Sequence, residues 1–126
     1  MATPFLGLRT TIYKVSDLAK AKEWYSEAFE TQAYFDEPFY VGYNIAGYEL
    51  GLLPESNGER KEKIATVLSY WGVEDIHTAY DRLLSLGAKV HEQPTNVGDD
   101  LMVASVYDPW HNIIGIIYNP YFKLSA

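Results

Sequence analysis

The chain has 126 residues, no cysteine and a formal net charge of −7, and these values exclude several classes of protein. The length suits one domain with a substantial core, and the missing cysteines exclude disulfides and thiolate metal sites and favour the cytoplasm. No basic stripe for nucleic acid, no signal peptide and no run of roughly 20 apolar residues for a membrane span is visible. We therefore expect a cytoplasmic protein that binds neither nucleic acid nor a membrane.

The first half of the chain predicts one helix and four short strands. Asp17 is placed to cap a helix that begins near Leu18 and ends near Glu30 or Thr31. A tight Ala46-Gly47 turn suits a hairpin between the last two strands. The four strands are predicted at residues 6–13, 31–35, 40–45 and 48–53.

The second half repeats this order after a polar linker, "PESNGERKEK" at 54–63. Asp75 is placed to cap a helix that begins near Ile76, and Gly87 provides its left-handed end. The strands are predicted at residues 66–72, 89–93, 102–107 and 113–118. The prediction is one domain over residues 1–126, with a βαβββ module at 6–53 and a second at 64–119.

The repeated modules resemble those of a known superfamily. Together with "VSDLAKAKEWY", "GVEDIHTAYDRLLSLGAKV" and "DPWHNII", they resemble the glyoxalase, bleomycin-resistance and extradiol-dioxygenase proteins, also called vicinal oxygen chelates. The resemblance implies an α+β fold in which two βαβββ modules form a curved, half-open mixed-sheet barrel with helices outside. It also implies a ligand cleft and a homodimer. It does not decide the chemistry, because the superfamily includes lyases, isomerases, dioxygenases, transferases and drug-binding proteins.

Metal-dependent members of this family carry four ligands, typically His, Glu or Gln, on the first and fourth strands of the two modules. The family's spacing carries these positions onto Thr10, Glu49, Leu68 and Gly115. Only Glu49 offers a good donor, and a divalent metal needs several. We therefore predict no metal and no cofactor. We also expect Gly115 to leave room for a ligand to approach the backbone.

Strand alternation predicts which residues line the cleft. In "YELGLL", Leu50 and Leu52 share one face, and Glu49 lies on the other. There Glu49 is either a general base or an acceptor for a ligand, or it is a structural carboxylate paired with Arg9 or another cation. Glu49 is the single catalytic candidate, and the predicted ligand-binding residues are Thr10, Ile12, Glu49, Leu68, Tyr70 and Gly115.

Other aromatic residues and the histidines have structural interpretations beside functional ones. Trp71, Trp110, Tyr40 and Tyr43 either add to the lining or pack in a core or interface. The three histidines are predicted to be structural or exposed, and the family's glycine position in the "DPWHN" turn predicts positive φ for His111.

These observations favour a metal-free protein that binds a small hydrophobic or aromatic organic ligand. One alternative is an enzyme of the glyoxalase type, a lyase or isomerase, or one related to the dioxygenases, that uses Glu49 with or without an atypical metal site. A second alternative is an interaction module with a vestigial cleft.

Overall fold

The computed structural model describes residues 3–4, 8–55 and 68–121. The chain divides into two units, Met1–Glu59 (unit 1) and Arg60–Ala126 (unit 2). The boundary falls within the predicted linker, of which residues 56–63 lie outside the described residues. In the described part, each unit has the element order βαβββ, so the predicted α+β class and the predicted repeat are confirmed.

Each unit is a four-stranded mixed sheet with one helix. In both sheets the first strand runs parallel to the fourth, and the remaining pairs are antiparallel. Unit 1 contains β1 (Thr10–Val15), α1 (Leu18–Ala28), β2 (Phe35–Glu37), β3 (Tyr40–Ile45) and β4 (Tyr48–Pro54), with strand order β1-β4-β3-β2. Unit 2 contains β5 (Tyr70–Gly72), α2 (Ile76–Ser85), β6 (Lys89–Asn96), β7 (Met102–Tyr107) and β8 (Ile113–Tyr118), with strand order β5-β8-β7-β6.

Both helices begin where their aspartate caps predict. The Asp17 carboxylate accepts from the Lys20 amide at 3.1 Å, and Asp75 accepts from the Thr78 amide at 3.1 Å. These bonds satisfy amides of the first turn that have no partner within the helix.

The two helices end differently. Gly87, at φ 99°, follows α2 as predicted. The predicted end of α1 was too late, since the helix stops at Ala28. Phe29 caps the helix, and Glu30, one of the two predicted end residues, lies beyond it with a left-handed φ of 53°.

Strand boundaries agree with prediction where turns define them. The predicted strands 40–45, 102–107 and 113–118 match β3, β7 and β8. The Ala46-Gly47 turn is confirmed, because both residues have positive φ.

The remaining strands differ from prediction. β2 begins only at Phe35, where its ladder to β3 starts, and β6 continues to Asn96 through two register shifts. β1 ends later than predicted, at Val15, and β4 extends to Pro54. β5 is shorter than predicted in the described part; residues 6–7 and 66–67 of the predicted strands lie outside the described residues.

The core of each unit lies between its helix and one face of its sheet. In unit 1, Leu50 and Leu52 are fully buried, and Tyr13 stacks on Tyr25 of α1 at 5.6 Å between ring centroids. The buried set of unit 2 includes Ile76, Tyr80, Leu83, Ala104, Val106, Ile114 and Ile116. No helix in the described ranges is long and apolar enough to cross a membrane. The opposite side of each sheet, called here its non-helical face, carries the predicted site residues that lie in strands; Leu68 precedes β5.

Candidate functional site

Glu49 lies on the non-helical face of the unit 1 sheet. The next residue, Leu50, is fully buried on the helix side, so alternation along β4 turns Glu49 to the other face. Its cross-strand neighbours are Thr10 of β1 and Asn44 of β3. The orientation predicted for Glu49 within its own sheet is therefore observed.

Two tyrosine hydroxyls hold the Glu49 carboxylate. Tyr40 donates to Oε2 at 2.6 Å, and Tyr34 donates to the same oxygen at 2.9 Å. Within the described residues, Oε1 has no hydrogen-bond partner, and no Lys, Arg or His pairs with this carboxylate. The contact with Arg9 is made by backbone alone, since the Glu49 amide donates to the Arg9 carbonyl at 2.9 Å.

Two glycines form the backbone floor beneath this arrangement. Gly42 and Gly51 are cross-strand partners in β3 and β4. A Cβ at Gly51 would collide with the Tyr40 ring, and a Cβ at Gly42 would lie 2.9 Å from Oε2 of Glu49. Glycine at both positions therefore lets the Tyr40 ring lie against the strands with its hydroxyl at Glu49. These residues, Tyr34, Tyr40, Gly42, Glu49 and Gly51, are called the Glu49 cluster.

Both phenols of the cluster remain protonated near neutral pH. Partial burial, followed by the hydrogen bond to Glu49 and the negative charge of Glu49, raises the pKa of Tyr40 far above its usual value. The hydrogen bond to Glu49 is the main cause of the raised pKa of Tyr34. Both hydroxyls are thus donors to Oε2, and Oε1 is left as an acceptor.

An aromatic patch formed by Tyr34, Phe35, Phe39 and Tyr40 adjoins the carboxylate. Tyr34 and Phe39 are each 63% exposed, and Phe35 is 38% exposed. The Phe35 ring centroid lies 6.0 Å from that of Phe39 and 6.0 Å from that of Tyr40. Phe35 therefore connects Phe39 to Tyr40, and the hydroxyls of Tyr34 and Tyr40 connect the patch to the Glu49 carboxylate.

Gly115, in unit 2, also lies beneath a tyrosine ring. Tyr70 is its partner in the parallel ladder between β5 and β8. A Cβ at Gly115 would lie 2.6 Å from the Ser69 carbonyl oxygen and 2.8 Å from Cδ1 of Tyr70. The space that we expected to be open above Gly115 is therefore filled by Tyr70.

His91 contributes a second polar contact to unit 2. Its Nδ1 lies 2.6 Å from Oγ of buried Ser105, and its ring contacts Tyr107 edge-on at 5.1 Å between centroids. Ser105 is the cross-strand partner of Gly115. His91 lies at a register shift of β6, and the contact ties the irregular strand to β7.

The "DPWHN" turn is organised by a buried aspartate. Oδ1 of Asp108 accepts from the amides of Trp110 and Asn112, both at 2.8 Å, and Oδ2 accepts from the Asn112 side chain at 2.9 Å. His111 has φ 69°, as predicted. His77 is exposed in the first turn of α2.

The predicted site residues fall into two groups. Thr10, Ile12 and Glu49 lie in unit 1. Leu68, Tyr70 and Gly115 belong to unit 2. Ile12 is 49% exposed beside Gly51, and Tyr70 is 40% exposed beside Gly115.

Sequence reasoning missed Tyr34 and left the role of Tyr40 open. A signal was present, because counting back from the Ala46-Gly47 turn places Gly42 opposite Gly51. Two facing glycines mark a place where another group approaches the backbone closely. Tyr43, in contrast, is fully buried and donates to the Lys22 carbonyl of α1 at 2.8 Å, so it belongs to the core.

The donor set at the family's metal positions does not fit a divalent ion. Thr10 offers a hydroxyl, Leu68 and Gly115 offer no side-chain donor, and Oε2 of Glu49 already accepts two hydrogen bonds. The described ranges contain no group of three or more His, Cys, Asp or Glu side chains arranged to hold a metal.

A groove of about 400 Å³ lies elsewhere in unit 1, beside α1 and β2. Its lining includes Lys22 and Asp36, which form an ion pair at 2.8 Å. None of the Glu49 cluster lines it. The groove is open and its charged pair is already satisfied, so we place the candidate site at the Glu49 cluster.

Comparison with a family model decides the affiliation of the chain. Residues 7–116 match the Glyoxalase/Bleomycin resistance protein/Dioxygenase superfamily. The chain belongs to this superfamily. The predicted resemblance is therefore confirmed, and a match of this extent covers both βαβββ units.

Several solved structures have the same fold as this chain at low sequence identity. A glyoxalase-related enzyme from Fulvimarina pelagi is 18% identical, with a TM-score of 0.78 over 97% of this chain and 94% of the other. The fosfomycin resistance protein FosX from Mesorhizobium loti is 11% identical, with a TM-score of 0.69 over 95% and 96%. An integron cassette protein from the Halifax Harbour sewage-outfall metagenome is 21% identical, with a TM-score of 0.69 over 91% and 100%. No curated protein matches the chain.

Proposed function

We propose that this superfamily member binds a small hydrophobic or aromatic molecule at the Glu49 cluster and uses no divalent metal. The observation that carries the proposal is the accepting Oε1 of Glu49 beside the exposed aromatic patch. Apolar contact with a few placed polar groups is the usual composition of a small-molecule site. The resistance proteins among the superfamily's names support a small molecule as the ligand class.

The metal part of the proposal is tested by elemental analysis. Protein purified without chelators or added metal is expected to carry far less than one divalent ion per chain. Dialysis against a divalent ion followed by removal of free ion should leave this ratio unchanged. A stoichiometric ion that is lost in Glu49→Ala would overturn the metal-free proposal.

The ligand part is tested by thermal unfolding in the presence of a panel of aromatic and hydrophobic small molecules. A ligand at about 100 times its Kd adds about 2.7 kcal/mol to the free energy of unfolding, so a binder raises Tm clearly. We expect Glu49→Gln or Tyr40→Ala to reduce the shift. Glu23→Gln, on the exposed surface of α1, is the matched control and should retain it. If the cluster variants keep the full Tm shift, the ligand binds elsewhere on the chain. If no compound shifts the Tm of the wild-type chain, the interaction module is favoured.

An enzyme of the glyoxalase type, a lyase or isomerase, is the second candidate, and the observation that favours it is again Oε1. A carboxylate oxygen without a partner is able to take a proton from a bound substrate if the substrate is held within hydrogen-bond distance of that oxygen. Turnover of a panel compound that is abolished in Glu49→Gln, with binding retained, would establish this alternative.

We further propose a cytoplasmic homodimer. The absence of cysteine supports the compartment, and the frequency of dimers among two-module relatives supports the assembly. Sedimentation equilibrium of the full chain is expected to give twice the chain mass of 14.3 kDa. A concentration-independent monomer would contradict the dimer.

A further inference from the structure

Resting on the proposed function, we propose that the ligand of the Glu49 cluster is an organic cation: an ammonium group attached to an aromatic or apolar body. The ammonium donates to Oε1 of Glu49, and the apolar body lies on the aromatic patch. Three features lead to this class: the negative charge of the carboxylate, the direction in which it can accept, and the aromatic rings around it. Among the described residues, no cation pairs with this carboxylate.

The first step is the charge on Glu49. Its described side-chain partners are two neutral phenols, which solvate the carboxylate but do not compensate its charge. The ion pair on the helix side of the same unit provides a contrast, because Asp36 there has Lys22 at 2.8 Å. A ligand cation would compensate the charge of Glu49, which no cation among residues 3–4, 8–55 and 68–121 pairs with, and the net charge of −7 favours its approach.

The second step is the direction in which the carboxylate can accept. Both tyrosine hydroxyls converge on Oε2, so that oxygen is occupied, and the acceptor capacity that remains is concentrated on Oε1. The Tyr40 ring lies against the glycine floor, and its hydroxyl and that of Tyr34 both hold Oε2. The carboxylate is therefore held in one orientation before a ligand arrives, which reduces the entropic cost of binding.

The third step is the aromatic patch. A cation within about 6 Å of an aromatic ring centroid is attracted to the face of the ring. Tyr34, Phe35 and Phe39 are exposed, and Phe35 contacts both Phe39 and Tyr40 at centroid distances of 6.0 Å. A neutral aromatic ligand would use the rings but not the charge, and a small metal ion would use the charge but not the rings. An organic cation uses both.

The test compares two probes of the same shape that differ in charge, phenethylammonium and phenethyl alcohol. Their affinities are measured by isothermal titration calorimetry on the full chain. We expect phenethylammonium to bind about 10-fold more tightly or better, since a hydrogen bond to a charged group and a cation–π contact each add to affinity. Raising the salt concentration should weaken the ammonium alone.

Two variants assign the preference to the cluster. Glu49→Gln keeps the shape and removes the charge, so the two probes should then bind with similar affinities. Glu23→Gln removes one negative charge from the surface of α1 and should leave the preference intact. If Glu49→Gln fails to fold, Tyr34→Phe replaces it. This variant removes one hydrogen-bond donor from Oε2 and keeps the charge of Glu49, so the preference for phenethylammonium must persist. The affinity for phenethylammonium must change, and the affinity for phenethyl alcohol must not.

The outcomes separate this inference from the proposed function. Equal affinities of the two probes for the wild-type chain, or a preference that survives Glu49→Gln, would overturn the organic cation and leave ligand binding standing. If neither probe, nor any compound of the thermal panel, binds at millimolar concentration, both proposals fail.

Discussion

The two units have the same order and pairing of strands, but a different tyrosine ring packs over the equivalent glycine in each. Gly51 is the ladder partner of Ile12, and Gly115 is the ladder partner of Tyr70. Ile12 and Tyr70 stand at the same distance before the aspartates that cap their helices, so Gly51 and Gly115 are equivalent positions. In unit 1 the covering ring comes from Tyr40 of β3, and in unit 2 it comes from Tyr70 of β5.

This difference determines where a polar group lies on each sheet. Two residues before the glycine, unit 1 has Glu49 and unit 2 has Ile113. The ring that arrives from β3 brings its hydroxyl to Glu49, whereas no carboxylate stands at the corresponding position beneath Tyr70. The repeat therefore supplies the same scaffold twice, and the Glu49 cluster is built on only one copy.

The largest expected effect on stability is that of adding a methyl group at each of the two glycines. We expect Gly115→Ala to destabilise the chain by about 3 kcal/mol, because the new methyl group meets the backbone oxygen of Ser69, which cannot rotate away. Gly51→Ala should cost about 1 kcal/mol, because it displaces the flexible Tyr40 side chain instead. Urea denaturation of both variants measures the difference.

Double variants sharpen this comparison. Gly51→Ala should cost little once Tyr40→Ala has removed the ring, whereas Gly115→Ala should remain costly in a Tyr70→Ala background. If the two glycines respond alike, the two covers are equivalent and the comparison is wrong.

Substitutions of two residues that face the helices, Tyr43 in unit 1 and Val106 in unit 2, should change stability by an intermediate amount. Each follows the ladder partner of one of the two glycines. Tyr43 follows Gly42, and its hydroxyl, 2.9 Å from Ser26 Oγ, connects the sheet to α1. Val106 follows Ser105 and is fully buried without a polar atom in its side chain. Tyr43→Phe should cost about 1 kcal/mol, and Val106→Thr about 2 kcal/mol, because the latter buries a new hydroxyl. Thermal unfolding monitored by circular dichroism checks both, and a harmless Val106→Thr would show that unit 2 has polar partners there as well.

The smallest expected effects are at the helix ends. Gly87→Ala should destabilise by about 1 kcal/mol, because an alanine is strained at φ 99°. Glu30→Gly should stabilise by about 0.5 kcal/mol, because glycine accepts the left-handed conformation of Glu30 without that strain. Urea midpoints of the two variants should move in opposite directions, and movement in the same direction would contradict the assigned strain.

Local signals in the sequence predicted the scaffold well. Asp17, Asp75 and Gly87 act through bonds and angles within a few residues, and the hairpin turn at Ala46-Gly47 fixes the register of β3 against β4. The end of α1 was wrong because Glu30 adopts a conformation that its type disfavours. Family spacing also treated Glu49 and Gly115 as equivalent, and only the strand ladders show the two-residue difference.

The candidate site was less predictable because its contacts are tertiary. Glu49 was singled out from the family's ligand spacing and from strand alternation, but its partners depend on a ring that reaches across two strands. Tyr34 lies in the predicted strand 31–35, but the observed β2 begins after it, so alternation along the predicted strand did not place its side chain. The filled space above Gly115 likewise depends on the rotamer of Tyr70, which a sequence pattern does not determine.

The irregular strand β6 has a consequence for the behaviour of the chain at high concentration. It is the outer strand of the unit 2 sheet, its ladder to β7 shifts register twice, and it contains Pro94, which has no amide hydrogen to donate. A long, regular outer strand presents a continuous row of backbone groups onto which another chain can add. Here that row is interrupted, so β6 is a poor template for the strand-by-strand growth of fibrils.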